Sequence, residues 1–145
     1  MANNSGAWGT MTLKGDWTPS SIKKINEIAR MVWAQFHYDL SVGPFSDEEI
    51  SQTMSGNGRW TFTNNLESLG AWTSSMVEED EGLLPSYNML LAEMEAEWLL
   101  VHVSFYDCEP NNHVLYTQSG TLSAKDGHLA YTIASEERYD YNWTN

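Results

Sequence analysis

Two runs of alternating polar and apolar residues near the C-terminus constrain the fold most strongly. Residues 113–123 and 128–135 flank Lys125-Asp126-Gly127. An Asp-Gly pair between alternating runs is the strongest short-range signal for a β-hairpin. The alternation continues beyond residue 135, so the last strand is predicted to be long. With a preceding strand over 93–107, this meander is expected to form the centre of an antiparallel sheet.

The N-terminal part predicts one strand and one long helix. A short strand is predicted over 8–13. Thr18 is a suitable helix N-cap, and Pro19 fits the first helical position. Apolar residues then recur every three or four positions, which predicts a helix over about 19–39.

The middle of the chain predicts shorter elements. Ser46-Asp47-Glu48-Glu49 has the capping-box pattern, which predicts a short helix to about Thr53. The predictions that follow are, in order, a turn over 55–58, a strand over 59–63, and a helix capped by Asn64 or Asn65 that carries Leu66, Leu69 and Trp72.

Segment 83–97 allows two interpretations. As a helix it presents Tyr87, Leu91 and Met94 on one face, whereas Glu93 to Trp98 alternates with the period of a strand. We therefore predict a helix over about 86–92 that passes into the strand over 93–107. The whole chain, 1–145, is predicted to be a single α+β domain with a mainly antiparallel sheet of about five strands and two or three helices packed on one face.

The aromatic residues divide into two predicted groups. Those expected in the core are Trp33, Trp60, Phe62, Trp72 and Trp98. Those near the termini, some of which are expected to be exposed, are Trp8, Trp17, Tyr139, Tyr141 and Trp143.

The charge of the chain is concentrated in its middle. The net charge is −13, from 7 basic and 20 acidic residues. Residues 31–124 contain only one basic residue, Arg59, and fourteen acidic ones. Such a surface repels nucleic acid and acidic membranes and attracts basic partners.

Four groups of acidic residues are the candidate partner-binding residues. They are Asp47, Glu48 and Glu49; Glu78, Glu79, Asp80 and Glu81; Glu93, Glu95 and Glu97; and Asp107 and Glu109. On one strand, alternate glutamates would share a face about 6.6 Å apart. Because duplex DNA carries one charge per about 1.7 Å of its axis, a protein that imitates it needs such closely spaced carboxylates. The alternative is an acidic surface that serves solubility alone.

Motifs for catalysis or metal binding are missing from the sequence. An EF-hand alignment that places Gly82 at the sixth position of the loop puts Val77 and Asn88 where the first and twelfth ligands must be acidic. The four histidines have no short metal-ligand spacing, and Cys108 lies between two acids, an electronegative setting that is unfavourable for a nucleophilic thiolate. We therefore expect no enzyme activity, no metal and no cofactor.

The sequence predicts a cytoplasmic location. The single cysteine suits a reducing compartment. The first residues lack the features of a signal peptide, and no apolar run approaches the roughly 20 residues of a membrane helix.

Charge and composition together predict a binding protein. The expected partner is a basic protein surface, such as the nucleic-acid groove of a nuclease or effector complex, and the chain itself binds neither nucleic acid nor membrane. Phage anti-restriction and anti-CRISPR proteins are an analogy of type for such an inhibitor or DNA-mimicking decoy. The alternatives are an immunity protein against a cationic toxin, an enzyme or small-molecule-binding domain, and an assembly subunit.

Overall fold

Within residues 5–35, 40–58, 66–109 and 114–140, which the computed structural model describes, the chain forms six strands and three α-helices. In chain order they are β1 (Ser5–Lys14), α1 (Pro19–Met31), β2 (Ser41–Val42), β3 (Ser51–Gly58), α2 (Leu69–Glu78), α3 (Leu84–Glu97), β4 (Leu100–Glu109), β5 (Val114–Lys125) and β6 (His128–Asp140). Two 3₁₀ turns, Trp33–Gln35 and Leu66–Ser68, follow α1 and precede α2. The predicted α+β class is confirmed, with one strand more than expected.

The strands form one antiparallel sheet in the order β2-β3-β1-β4-β5-β6. β1 lies near the centre, where its register sets Trp8 opposite Ser55 of β3 and Tyr106 of β4. The expectation that segment 93–141 forms the centre of the sheet is therefore wrong. β1 and β4 occupy the middle, and β6 is an edge strand.

The hairpin of β5 and β6 forms where the sequence predicted it. Asp126 and Gly127 have φ angles of 51° and 79°, the two positive values that a type I′ turn needs. The register shifts between Ser119 and Gly120, which leaves Ala134 as the extra residue of a β-bulge. Beyond this bulge β6 is exposed to its end.

Helix α1 begins as predicted and ends earlier. Ser21 N–H donates to Thr18 Oγ1 at 3.1 Å, and Thr18 N–H donates to Ser21 Oγ at 2.8 Å. These two bonds form a capping box, and Pro19 occupies the first turn. The α-helix ends at Met31 rather than near residue 39, and residues 36–39 lie outside the described part of the chain.

One apolar core lies between the helices and a single face of the sheet. Alternate residues of the strands meet the apolar stripes of the three helices there. Examples of its fully buried members are Met11, Ile25, Ile28, Leu90, Val101, Val103 and Leu122. Burying one such side chain stabilises the fold by roughly 1.5–3 kcal/mol. The helices therefore share one side of the sheet, as predicted.

The segment after Ser46 differs from its prediction. Glu49 N–H donates to Ser46 Oγ at 3.0 Å, and Ser46 N–H donates to Glu49 O at 3.1 Å. The capping-box pattern thus closes a turn, and the helix predicted to Thr53 is wrong because β3 begins at Ser51. The turn predicted over 55–58 is also wrong, since these residues pair with β1. Cross-strand pairing outweighs the local preference here.

The prediction for residues 59–69 is tested only in part. The strand over 59–63 and the caps Asn64 and Asn65 lie outside the described residues. The helix that they precede is α2 with its 3₁₀ turn, and Leu66 and Leu69 are buried as expected.

Segment 83–97 is helical to its end. Tyr87, Leu91 and Met94 are buried at helical spacing, so the change to a strand at residue 93 is wrong. The period of two came from Glu93, Glu95 and Glu97, of which Glu95 and Glu97 are exposed and Glu93 pairs with Lys24. Trp98 ends the helix in the left-handed conformation, φ 54° and ψ 43°, which costs a non-glycine residue about 1–2 kcal/mol.

The predicted division of the aromatic residues holds for most of those described. Trp33 is fully buried, whereas Trp8 and Tyr139 are exposed. The core prediction for Trp98 is wrong, because its side chain is 81% exposed. Trp72 and Trp17 are partly buried and pack against the core. The remaining four lie outside the described residues: Trp60, Phe62, Tyr141 and Trp143.

The close approach of α2 to β6 depends on Gly70. A Cβ atom at this position would lie 1.5 Å from the carbonyl oxygen of Leu129. We expect Gly70→Ala to lower the free energy of unfolding by about 3 kcal/mol, measured by urea denaturation, because the helix must move off the strand. In the control Gly82→Ala, the added Cβ meets only an Asp80 side-chain oxygen at 3.3 Å. Similar losses in both variants would contradict this contact.

Candidate partner-binding surface

The acidic residues singled out from the sequence lie mainly on three segments of the helical side. Asp47, Glu48 and Glu49 are in the loop between β2 and β3, where Asp47 and Pro19 of α1 line a shallow groove. Residues 78–81 end α2 and form the turn into α3. Residues 93–97 occupy the last turns of α3, so the predicted strand-borne row of glutamates does not exist.

Most of these carboxylates are accessible and unpaired. Seven exposed ones make no side-chain hydrogen bond or ion pair with the described residues: Asp47, Glu48, Glu78, Glu79, Glu81, Glu95 and Glu97. The described part of the chain contains two ion pairs, Lys24–Glu93 and Arg138–Asp140. The negative charge of the seven is therefore available to a partner.

Glu93 is neutralised within the fold. Lys24 Nζ lies 2.8 Å from Glu93 Oε1 and 2.8 Å from Ser20 Oγ, and the lysine side chain is buried between α1 and α3. This ion pair connects the two helices. Of the three glutamates on α3, Glu95 and Glu97 have no ion-pair partner among the residues that the structure describes.

Two further candidates have structural roles. Asp80 Oδ1 accepts hydrogen bonds from the backbone N–H groups of Gly82, at 2.9 Å, and Leu83, at 3.2 Å. It therefore organises the turn that starts α3. Glu49 Oε2 accepts a hydrogen bond from Gln52 Nε2 at 3.1 Å.

Asp107 does not belong to an acidic surface. Its side chain is 0% exposed, on the core-facing side of β4. The prediction that Asp107 belongs to the surface carboxylates is therefore wrong. On β4, Asp107 lies on the same face as the buried Val103 and Phe105. Glu109 ends β4, and its side chain lies outside the described residues.

The opposite face of the sheet is almost neutral and open. No described helix or strand covers it. Its rows run across the strands in register, and one row consists of Thr53, Thr10, Ser104, Ser119 and Ser135. Neighbouring members of such a row are about 4.8 Å apart. Trp8 and Tyr106 stack beside it with ring centroids 6.5 Å apart.

Charge therefore separates the two faces of the molecule. On the described strands, Glu137 is the one acidic residue whose register places it on the open face. The seven free carboxylates lie on the helical side. Sequence charge alone located the acidic stretch but not this division, which depends on strand parity.

Two buried tyrosines, Tyr87 of α3 and Tyr131 of β6, have raised pKa values. Burial raises the pKa of Tyr87, while its hydrogen bond with Ser74 and the bond from Leu129 N–H lower it in part. Burial, then the charges of Glu136 and Glu67, raises the pKa of Tyr131. These hydroxyls belong to the interior and not to the acidic surface.

Two kinds of site, a metal centre and a membrane-spanning helix, were looked for in the described residues. Among the described residues, no three His, Cys, Asp or Glu side chains are grouped so that they could hold a metal ion. His37 and His113 lie outside those residues. No helix in the described ranges is long and apolar enough to cross a bilayer.

Comparison with known proteins gives no relative from which a function could be transferred. The sequence matches no protein-family model, and neither the curated proteins nor the solved structures contain a significant match. Function is therefore argued from the residues themselves.

Because Glu93 pairs with Lys24 and Glu95 does not, replacing each with glutamine should change the free energy of unfolding by different amounts. Glu93→Gln leaves the buried Lys24 ammonium without its counter-charge. Because the Glu93 side chain is 33% exposed, we expect a loss of only about 1–2 kcal/mol in the free energy of unfolding, below that of a fully buried pair. Glu95→Gln should change it by less than about 0.5 kcal/mol in the same urea titration. Equal effects would show that the ion pair does not join the helices.

The buried tyrosines predict loss of stability at alkaline pH. A folded-state pKa above the ordinary value of 10.0 means that the folded chain holds the proton more tightly than the unfolded chain. The free energy of unfolding should therefore fall as the pH rises above about 10. Tyr87→Phe lowers stability at pH 7, through lost hydrogen bonds, but should flatten this fall. An identical slope in the wild-type protein and in Tyr87→Phe would contradict the assignment.

Proposed function

We propose that this protein is a non-catalytic inhibitor or decoy that binds a basic surface of another protein through its helical side. The surface it occupies is one that otherwise holds nucleic acid, such as the groove of a nuclease or of a nucleic-acid-binding effector. The closest analogy of type is the class of phage anti-restriction and anti-CRISPR proteins.

The separation of charge between the two faces carries this proposal. Seven accessible carboxylates that have no partner among the described residues lie on the helical side, while the open sheet face holds hydroxyl groups. An acidic coat that served solubility alone has no need to leave one face with a single strand-borne acid, Glu137. Concentrating the charge on one side orients the molecule toward a cationic partner.

The three acidic clusters suit a groove better than a point contact. They lie on separate elements, namely the β2–β3 loop, the α2–α3 turn and the end of α3. A groove that binds nucleic acid presents Lys and Arg along the path of the phosphates. Carboxylates distributed over several elements engage such a path at several places.

Binding of this type depends on salt and on the location of the charge. Candidate nucleic-acid-binding proteins, captured at about 50 mM salt, would be tested by titration at increasing salt and with competing duplex DNA. We expect affinity to fall by at least about tenfold between 50 and 200 mM salt. Glu79→Lys/Glu81→Lys should weaken binding by at least a further tenfold.

A matched control uses the same change of charge on the other face. Glu137→Lys lies on the open face of β6 and, per charge reversed, should weaken binding far less than Glu79→Lys alone. A complex insensitive to salt and DNA, or equal losses from both sites, would rule out a decoy that acts through the helical side.

A further inference from the structure

The C-terminal end of α3 combines features that are unfavourable for folding. Trp98 adopts φ 54° and ψ 43°, and Met94 O accepts hydrogen bonds from both Trp98 N–H and Leu99 N–H. The Leu99 bond is the 6→1 bond of a Schellman motif, and the Trp98 bond is the 5→1 bond of the αL motif. In both motifs the left-handed position is normally glycine, because a Cβ is strained there. A tryptophan at this point disfavours the folded state.

Burial does not compensate for that strain. The Trp98 side chain is 81% exposed, more than any other large apolar side chain in the described residues. Its backbone is held by the helix end, so the indole projects from a fixed position. Backbone strain at an exposed aromatic residue is typical of sites that contact another molecule.

The charges beside Trp98 are also opposite to what a helix end favours. The C-terminus of a helix carries partial negative charge and is stabilised by cations. Instead, Glu95 and Glu97 lie in the last turn, both exposed, and no basic residue lies there. A cation from outside the chain would relieve this repulsion.

A groove of about 590 Å³ opens next to the indole. Its apolar lining comes from α3, the start of β4 and the end of β5: Met94, Leu99, Leu100 and Ala124. Glu95 and Trp98 border it on the helix side, and Lys125 borders it on the hairpin side. Lys125 forms no ion pair with the described residues.

From these contacts we infer that the Trp98 groove is the anchor point for an arginine of the basic partner. The guanidinium stacks on the Trp98 indole and pairs with Glu95, which borders the groove, while Glu97 adds negative charge at the same helix end. An apolar neighbour of that arginine enters the groove. This inference rests on the proposed function and names the place where the partner is held. Arginine fits better than lysine because its planar, weakly hydrated group stacks on aromatic faces and still pairs with carboxylates.

The same charges select against other occupants. Two glutamates and a helix C-terminus repel an anionic ligand. A purely apolar molecule would leave both carboxylates uncompensated. Lys125 on the opposite wall repels a second cation, which places the arginine on the Trp98 side.

The anchor is tested with a synthetic peptide of alternating arginine and leucine. Its counterpart replaces each arginine with citrulline, which has nearly the same shape and no charge. In NMR titrations at 50 mM salt, the arginine peptide should shift the Trp98 indole N–H resonance and bind at least tenfold more tightly than the citrulline peptide. Trp98→Phe assigns that resonance by its loss.

The substitution Trp98→Gly separates binding from folding. It should raise the urea midpoint, because glycine suits the left-handed position, while it weakens arginine-peptide binding at least tenfold. Glu95→Gln/Glu97→Gln should weaken binding severalfold without lowering stability. The control Trp8→Ala removes a half-exposed tryptophan from the open face and should leave the affinity unchanged.

The possible failures are distinguishable. If Trp98→Gly lowers stability, or leaves peptide affinity at the level of Trp8→Ala, the anchor is wrong. The salt dependence and the Glu79/Glu81 reversals then still decide the proposed function on their own. If Trp98→Gly weakens peptide binding but complexes with nucleic-acid-binding proteins are insensitive to salt, the groove binds arginine and the decoy proposal fails.

Discussion

The pairing of β1 with both β3 and β4 is the constraint on which the rest of the structure depends. Without β1, the sheet would divide into β2–β3 and the β4–β5–β6 meander. The register of Trp8 and its neighbours fixes which residues of all three strands face the helices. Because side chains alternate along a strand, a shift of one residue would turn the hydroxyl rows into the core and Met11 into solvent. The separation of a charged side from a neutral side is therefore set by one central strand.

The elements that were predicted correctly are those with local sequence signals that tertiary contacts do not override. The Asp126-Gly127 turn and the start of α1 at Thr18 and Pro19 require particular backbone angles and caps, and these are written in a few adjacent residues. The segments after Ser46 and after Glu93 failed for the opposite reason. Their local patterns fit two structures, and pairing with β1 or burial of Tyr87 and Met94 decided between them.

The sequence predicted which residues make the surface acidic, but not where those residues lie in the fold. Exposure of the acidic loops followed from their charge, since unpaired carboxylates avoid the interior. The same expectation of exposure failed for Asp107, because strand parity places it inward. Neither the Lys24–Glu93 ion pair, 69 residues apart in sequence, nor the exposure of Trp98 has a local signal.

The two edges of the sheet bear on how such a protein behaves at high concentration. β2 contains only two residues, and the outer half of β6 carries Glu136, Glu137, Arg138 and Asp140 in an exposed stretch. Short edges and charged edges both hinder the addition of further strands from neighbouring molecules. The nearly neutral face is thus bounded by edges that hinder strand addition. Copies of the chain would therefore meet resistance to joining through their sheets, although the open face between those edges carries little charge.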